Sequence, residues 1–295
     1  MAVTETNIKS SLHTRCNSFP SAPHPLISQY EEHLQRLKDC EAASSISSSS
    51  LGHKLNCLLD IHDCTDELLQ LPIKQQTLAR ECSDKCVDDI LERSLRLLDI
   101  CSIAKDCLLT SKENMHELQS VIRRRRGDQT EFRAEGGKYL ASRKKLNKAT
   151  RKALGNLKAM KSEFVVLPSN KDHDTLSLVG ILKEAEEVTV RSLESLLLFL
   201  YDTKGQSKQS RWSAISKLMQ PKRVACDSQE SNTNEFEKVD AALLSFLSHK
   251  PSSIENFPSQ LENLEMCIQD LEIGVGHLSR KLIRTRVSLL NIFNH

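Results

Sequence analysis

The chain ends in NFPSQLENLEMCIQDLEIGVGHLSRKLIRTRVSLLNIFNH (256–295), and the reading of this stretch decides the fold. Phe257, Leu261, Leu264, Ile268, Leu271, Val275, Leu278, Leu282, Thr285, Leu289 and Ile292 follow one another at spacings that alternate four and three. A residue every 3.5 positions for about ten turns describes a single long helix with a narrow stripe for other helices to cover. Such a helix is a packing element and carries no catalytic constellation. Its seam, from Leu261 to Leu282, is either buried within one bundle or partly exposed for association with a second copy or another protein.

A second seam of the same kind lies earlier: Val87, Ile90, Ser94, Leu97, Cys101, Ala104, Leu108, Ser111, Met115, Leu118 and Ile122. Leu91, Leu95, Leu98 and Leu109 widen it, as expected of a helix with several neighbours, and Ser94, Ala104 and Ser111 permit close approach. Gly127 ends this helix, and the next, about Thr130 to Glu163, returns as a hairpin with Gly136 and Gly137 near its start. Further helical patterns cover about 51–71, 175–202, 212–219 and 235–248. No alternating run is long enough to build a sheet. Glycine is scarce (9), aromatics are 4% and charged residues 27%, the balance of an all-α protein. No proline interrupts residues 73 to 167.

Residues 1–50 read as a mobile arm. It holds a short amphipathic helix over 25–40 (Leu26, Tyr30, Leu34, Leu37), expected to dock weakly, and a serine tract ASSISSSS (43–50) as linker. The expected architecture is therefore all-α: an elongated bundle of six or seven helices over 51–295, broken by a disordered loop at about 221–234.

The opening MAVTETNIKS has no basic end followed by an apolar core, so no secretory signal is read and a reducing compartment is expected. The ten cysteines then read as free thiols. The longest apolar run, Leu196 to Tyr201, is far short of the roughly 20 residues of a membrane-spanning helix. A cytoplasmic protein is expected, peripheral at a membrane in one reading and nuclear in another.

Net charge is only +2, yet from Arg123 to Lys161 fourteen Lys or Arg stand against three acids, a local +11 that leaves −9 for the remainder. Along the 130–163 helix, Tyr139, Ser142, Leu146, Ala149, Ala153, Leu157, Met160 and Phe164 mark an apolar face. Lys144, Lys145, Lys148, Arg151, Lys152 and Lys158 spread over the other. That back is a solvated face, or a docking surface for anionic lipid headgroups or an acidic protein. Nucleic acid fits less well, since only Phe132, Tyr139 and Phe164 offer stacking. Arg123, Arg124, Arg125 and Arg126 resemble an import signal and equally suit the negative end of a helix dipole.

His53, Cys57, Asp60 and Cys64 stand at i, i+4, i+7 and i+11 on one stripe with zinc-ligand chemistry. One straight helix cannot wrap four ligands around an ion, so a partner helix would be required; the stripe is read as a polar boundary and no metal is expected. Arg15, Ser18 and Pro20 make R-x-x-S-x-P, a phosphorylation and adaptor-docking pattern centred on Ser18. No nucleophilic triad, phosphate loop or H-E-x-x-H is present, so neither an enzyme nor a cofactor is expected. The sequence names no protein partner and no oligomeric state.

RCNSFPSAPHPL (15–26) with a following EEHLQRL, DELLQLPIKQQTL (66–78), ILERSLRLLDICSIAKD (90–106), ELQSVIRRRRGD (117–128), YLASRKKLNK (139–148) and RKLIRTRVSLLNIFNH (280–295) together resemble the plant-specific BYPASS-related family, domain of unknown function 241. The resemblance implies an all-helical, non-enzymatic plant protein loosely associated with root and shoot development. Cys16 departs from the family's R-S-x-S-x-P by replacing its first serine, which weakens the adaptor reading.

Overall fold

The computed structural model describes residues 24–42, 47–124, 129–166, 177–201, 234–247 and 256–294, with side chains over 130–163 of the fifth helix. These residues form eight helices and no strand: α1 Pro25–Ala42, α2 Ser48–Leu69, α3 Pro72–Glu81, α4 Asp84–Arg123, α5 Gln129–Val166, α6 Leu178–Leu200, α7 Glu235–Leu247 and α8 Phe257–Phe293. The all-α expectation holds. The count of eight differs slightly from the six or seven expected over 51–295, because it takes in α1 and because α3 is a separate helix: Pro72 starts it at the first-turn position that tolerates a missing N–H, and the extended backbone of Cys82 and Ser83 parts it from α4. The segment 212–219, the loop 221–233, Arg125 to Asp128 and residues 1–23, Ser18 among them, lie outside the described residues.

The five longest elements close a ring in which α8 packs on α2 and α4, α4 on α5, α5 on α6 and α6 back on α2. The ring is elongated, since the 40 residues of α4 reach about 60 Å at 1.5 Å per residue. Helices α4 and α8 run antiparallel, with Lys112 near Glu272 and Arg286 donating to Ser94. Helices α2 and α8 run parallel, with Ser48 beside Cys267, Asp63 paired with Lys281, and Gln70 beside Ser288. Gly274 lets these two approach: a Cβ there would stand 3.0 Å from Leu55 Cδ1.

The α8 seam is internal. Leu261, Leu264, Ile268, Leu271, Val275, Leu278 and Leu282 are all buried in the single chain, as are most positions of the α4 seam from Leu97 to Leu118. Thr285, the polar member of the α8 seam, is explained by Asp66 of α2, whose carboxylate accepts from its hydroxyl at 2.5 Å. A seam covered by its own chain leaves the association reading without the surface it needs.

The serine tract does not behave as a linker throughout. Ser47 caps α2 by accepting from the Ser50 N–H, and Ser48 to Ser50 form the first turn. Serine is a preferred cap because its short oxygen satisfies an orphan N–H of the first turn. Helix α1 is also more than tethered. Ile27, Tyr30, Leu34 and Leu37 are buried, Tyr30 donates to the Ile181 carbonyl at 3.2 Å, and Lys38 pairs with Glu184 at 3.1 Å. Four buried side chains at about 1.5–3 kcal/mol each favour docking of this helix against the ring.

Candidate functional site

Helix α5 is set on the ring by one buried stripe, and the position of that stripe fixes what faces outward. Tyr139, Arg143, Thr150, Ala153, Leu157 and Met160 are buried and Leu146 is half-buried. This register differs by one residue in its middle from the face read in the sequence, since Ala149 is exposed and Thr150 buried. Arg143 is the reason. It lies in the stripe and is held there by three partners: Asp240 Oδ2 at 3.2 Å, the Leu200 carbonyl at 3.0 Å, and the Phe236 ring with its centroid 4.3 Å away. A guanidinium satisfied in this way can be buried where an ammonium could not. Gly136, further back, passes under Leu243 of α7, so α5 runs unbroken through the glycine pair.

With the stripe so placed, Lys144, Lys145, Lys148, Arg151, Lys152 and Lys158 are all exposed. At 100° per residue they share an arc of about 140° along about 21 Å of helix. Between them lie only small or polar exposed residues, Ala141, Ala149, Gly155, Asn156, Ala159 and Ser162, and no acid occurs from Gly136 to Ser162. None of the five lysines forms an ion pair with a described residue. Arg151 alone is positioned: its Nη2 donates to the Tyr201 hydroxyl at 2.9 Å, a contact from the end of α6 that spacing on α5 could not reveal. The hydroxyl is neutral, so the full charge stays on the face.

The remaining cations of the +11 segment have other roles. Arg124 pairs with Glu131 at 3.1 Å, Lys138 with Glu135 at 2.9 Å, and Lys161 with Glu194. Arg123 and Arg124 are exposed at the end of α4, and Arg125 and Arg126 fall outside the described residues. Glu131 stands thirteen residues before Lys144, about 20 Å along α5, so Arg123 and Arg124 do not belong to the same patch as the lysine face. Two of the three aromatics named for stacking are engaged within the bundle: Tyr139 is buried, and Phe132 packs edge-on against Phe246 and Phe257. The side chain of Phe164 is not among those described.

The family described as Protein BPS1 matches the chain over residues 54–292. The chain belongs to this BYPASS-related plant family. Its match begins in α2 and ends in α8, so it takes in the whole ring, with the basic face of α5, and leaves α1 outside. Membership fits a protein of root and shoot development. No curated protein and no solved structure matches the chain. Among the described residues no helix is long and apolar enough to cross a membrane.

Proposed function

We propose that this protein is a non-enzymatic scaffold that adheres to anionic membrane surfaces through the outward face of α5. The observation that carries the reading is the single arc of five lysines and Arg151 with no acid on it and no lysine engaged in an ion pair among the described residues. Protein interfaces are enriched in aromatics, Met and Arg and are depleted in Lys. A lysine face set among Ala, Gly and Ser instead suits a diffuse anionic surface, met by mobile and well-hydrated charges without shaped pockets. An acidic protein partner is the competing outcome.

Each basic residue near an anionic leaflet contributes about 1 kcal/mol. Six give up to about 6 kcal/mol, which corresponds to an affinity between millimolar and micromolar. Binding of this kind is reversible and weakens with salt, because the Debye length falls from about 8 Å at physiological ionic strength to about 3 Å at 1 M. Purified full-length protein is floated with vesicles of phosphatidylcholine alone or with phosphatidylserine added, at rising salt. Flotation with the anionic vesicles only, lost at high salt, is the expected result. Absence of flotation at low salt, or equal flotation with neutral vesicles, overturns the reading and leaves the face to solvent or to an acidic protein.

A further inference from the structure

The stripe His53, Cys57, Asp60, Cys64 on α2 lacked a partner helix in the sequence, and the structure supplies one. Helix α1 lies antiparallel along it: Tyr30 lies beside Cys64, His33 faces Asp60 at 3.8 Å, and Cys40, in the last turn of α1, reaches the first half of α2. The two Cys40 and Cys57 sulfurs and a ring nitrogen of His53 all lie within 4.8 Å of one another.

We propose that Cys40, His53 and Cys57 bind one Zn²⁺ ion that staples α1 to α2. Tetrahedral zinc, with Zn–S near 2.3 Å and Zn–N near 2.0–2.1 Å, sets its ligand atoms roughly 3.5–3.8 Å apart. The three atoms therefore need to close by only about 1 Å. The two that must move most freely can do so, since His53 is exposed and Cys40 half-buried, while Cys57 is buried and fixes the site. His53 and Cys57 are one turn apart on the same face, the spacing at which helical side chains are neighbours. Cys40 comes from a second direction, which a single helix could not offer.

Two thiols and an imidazole are a soft donor set. It suits Zn²⁺ and excludes Mg²⁺ and Ca²⁺, which demand oxygen. Binding replaces the two S–H bonds by two Zn–S bonds and releases two protons to solvent, and the two thiolates cancel the charge of the ion. Water completes the fourth position. Cys82 and Cys86 make an instructive contrast: their sulfurs are 3.6 Å apart one turn from each other, but no third ligand stands near among the described residues.

The consequence is local. Cys40 and His53 precede the span matched by the family and Cys57 lies within it, so the ion would fix α1 onto the ring.

The test uses full-length protein purified in reducing buffer without chelator, with zinc content and Co²⁺ substitution as readouts. About one zinc per chain is expected, with Co²⁺ giving intense thiolate-to-metal charge-transfer absorption. His53→Ala removes an exposed ligand without touching the core and should weaken binding by more than the roughly 10–100-fold that loss of an outer-shell partner costs. Cys40→Ser should do the same, and added Zn²⁺ should raise the melting temperature of the wild type and not of either variant. Co²⁺ binding without charge-transfer absorption, or a spectrum unchanged in H53A, overturns the assignment.

Discussion

His62 of α2 should make this protein lose stability as pH falls from about 6.5 to about 4, and the hydrogen bonds around it give the size of the loss. The Thr189 hydroxyl donates to the Ala185 carbonyl at 2.6 Å, so its oxygen accepts from His62 Nε2–H at 2.9 Å. The neutral ring therefore carries its proton on Nε2. Nδ1 is buried with no hydrogen-bond partner, and a second proton would place a charge there without an acceptor. Burial accordingly lowers the pKa to about 4 from 6.5; the Asp63 carboxylate opposes the shift and Lys281 adds to it. In the unfolded chain the ring protonates near pH 6.5, whereas in the fold it resists down to about 4. The stability present above pH 6.5 is then lost between these values, by about 3 kcal/mol at 1.36 kcal/mol per pKa unit. That is a large share of a typical 5–15 kcal/mol.

Urea unfolding at pH 7, 5.5 and 4 measures it, with His62→Gln as reference because the amide can still donate to Thr189 and does not titrate. Asp66 and Glu186 act in the opposite sense, since burial raises both carboxyl pKa values and favours the fold as they protonate. They are common to both proteins and cancel in the difference. The wild type should lose about 3 kcal/mol more than H62Q over this range. Parallel profiles would refute the reasoning and mean that Nδ1–H finds an acceptor, for which the cavity of about 50 Å³ beside His62 has room for water.

Leu271→Asp places a carboxylate in the internal α8 seam, at a position 1% exposed, and should cost several kcal/mol; circular dichroism should report loss of the cooperative fold, whereas a folded protein with altered association would contradict an internal seam. Arg143→Met strips the cation from Asp240 and should destabilise by about 3–5 kcal/mol in denaturant unfolding, although it removes one of the fourteen cations of a segment whose other changes are mild. Lys145→Gln, on the exposed arc one register step away, should shift the midpoint by no more than about 0.5 kcal/mol.

The long seams of α4 and α8 were legible because a 3.5-residue repeat sustained for ten turns has no competing reading. Helix α3 was not, since ten residues after Pro72 give too few turns to separate from the strong pattern of α4. The docking of α1 was hidden by the serine tract, whose composition suggests a linker even though one of its serines caps α2. A charge count could not tell Arg143 from Lys144. Register could have: Tyr139, Arg143, Leu146, Thr150, Ala153, Leu157 and Met160 keep the four-three alternation and place the arginine in the buried stripe. The exposure of Lys144, Lys145, Lys148, Lys152 and Lys158 was legible, because exposure on a helix follows from its apolar side. Cys40 could not be joined to His53 and Cys57, because that juxtaposition depends on how α1 folds back along α2.

The most direct test of membrane docking is flotation of wild type beside Lys144→Glu/Lys148→Glu/Lys152→Glu on anionic vesicles at about 0.15 M salt, physiological in its screening. The triple change takes the six-cation face from +6 to zero, and glutamate has nearly the helix propensity of lysine, so the fold should survive. Wild type should float and the variant should stay in the dense fraction with an unaltered melting temperature. Equal flotation of the two proteins would contradict docking through this face.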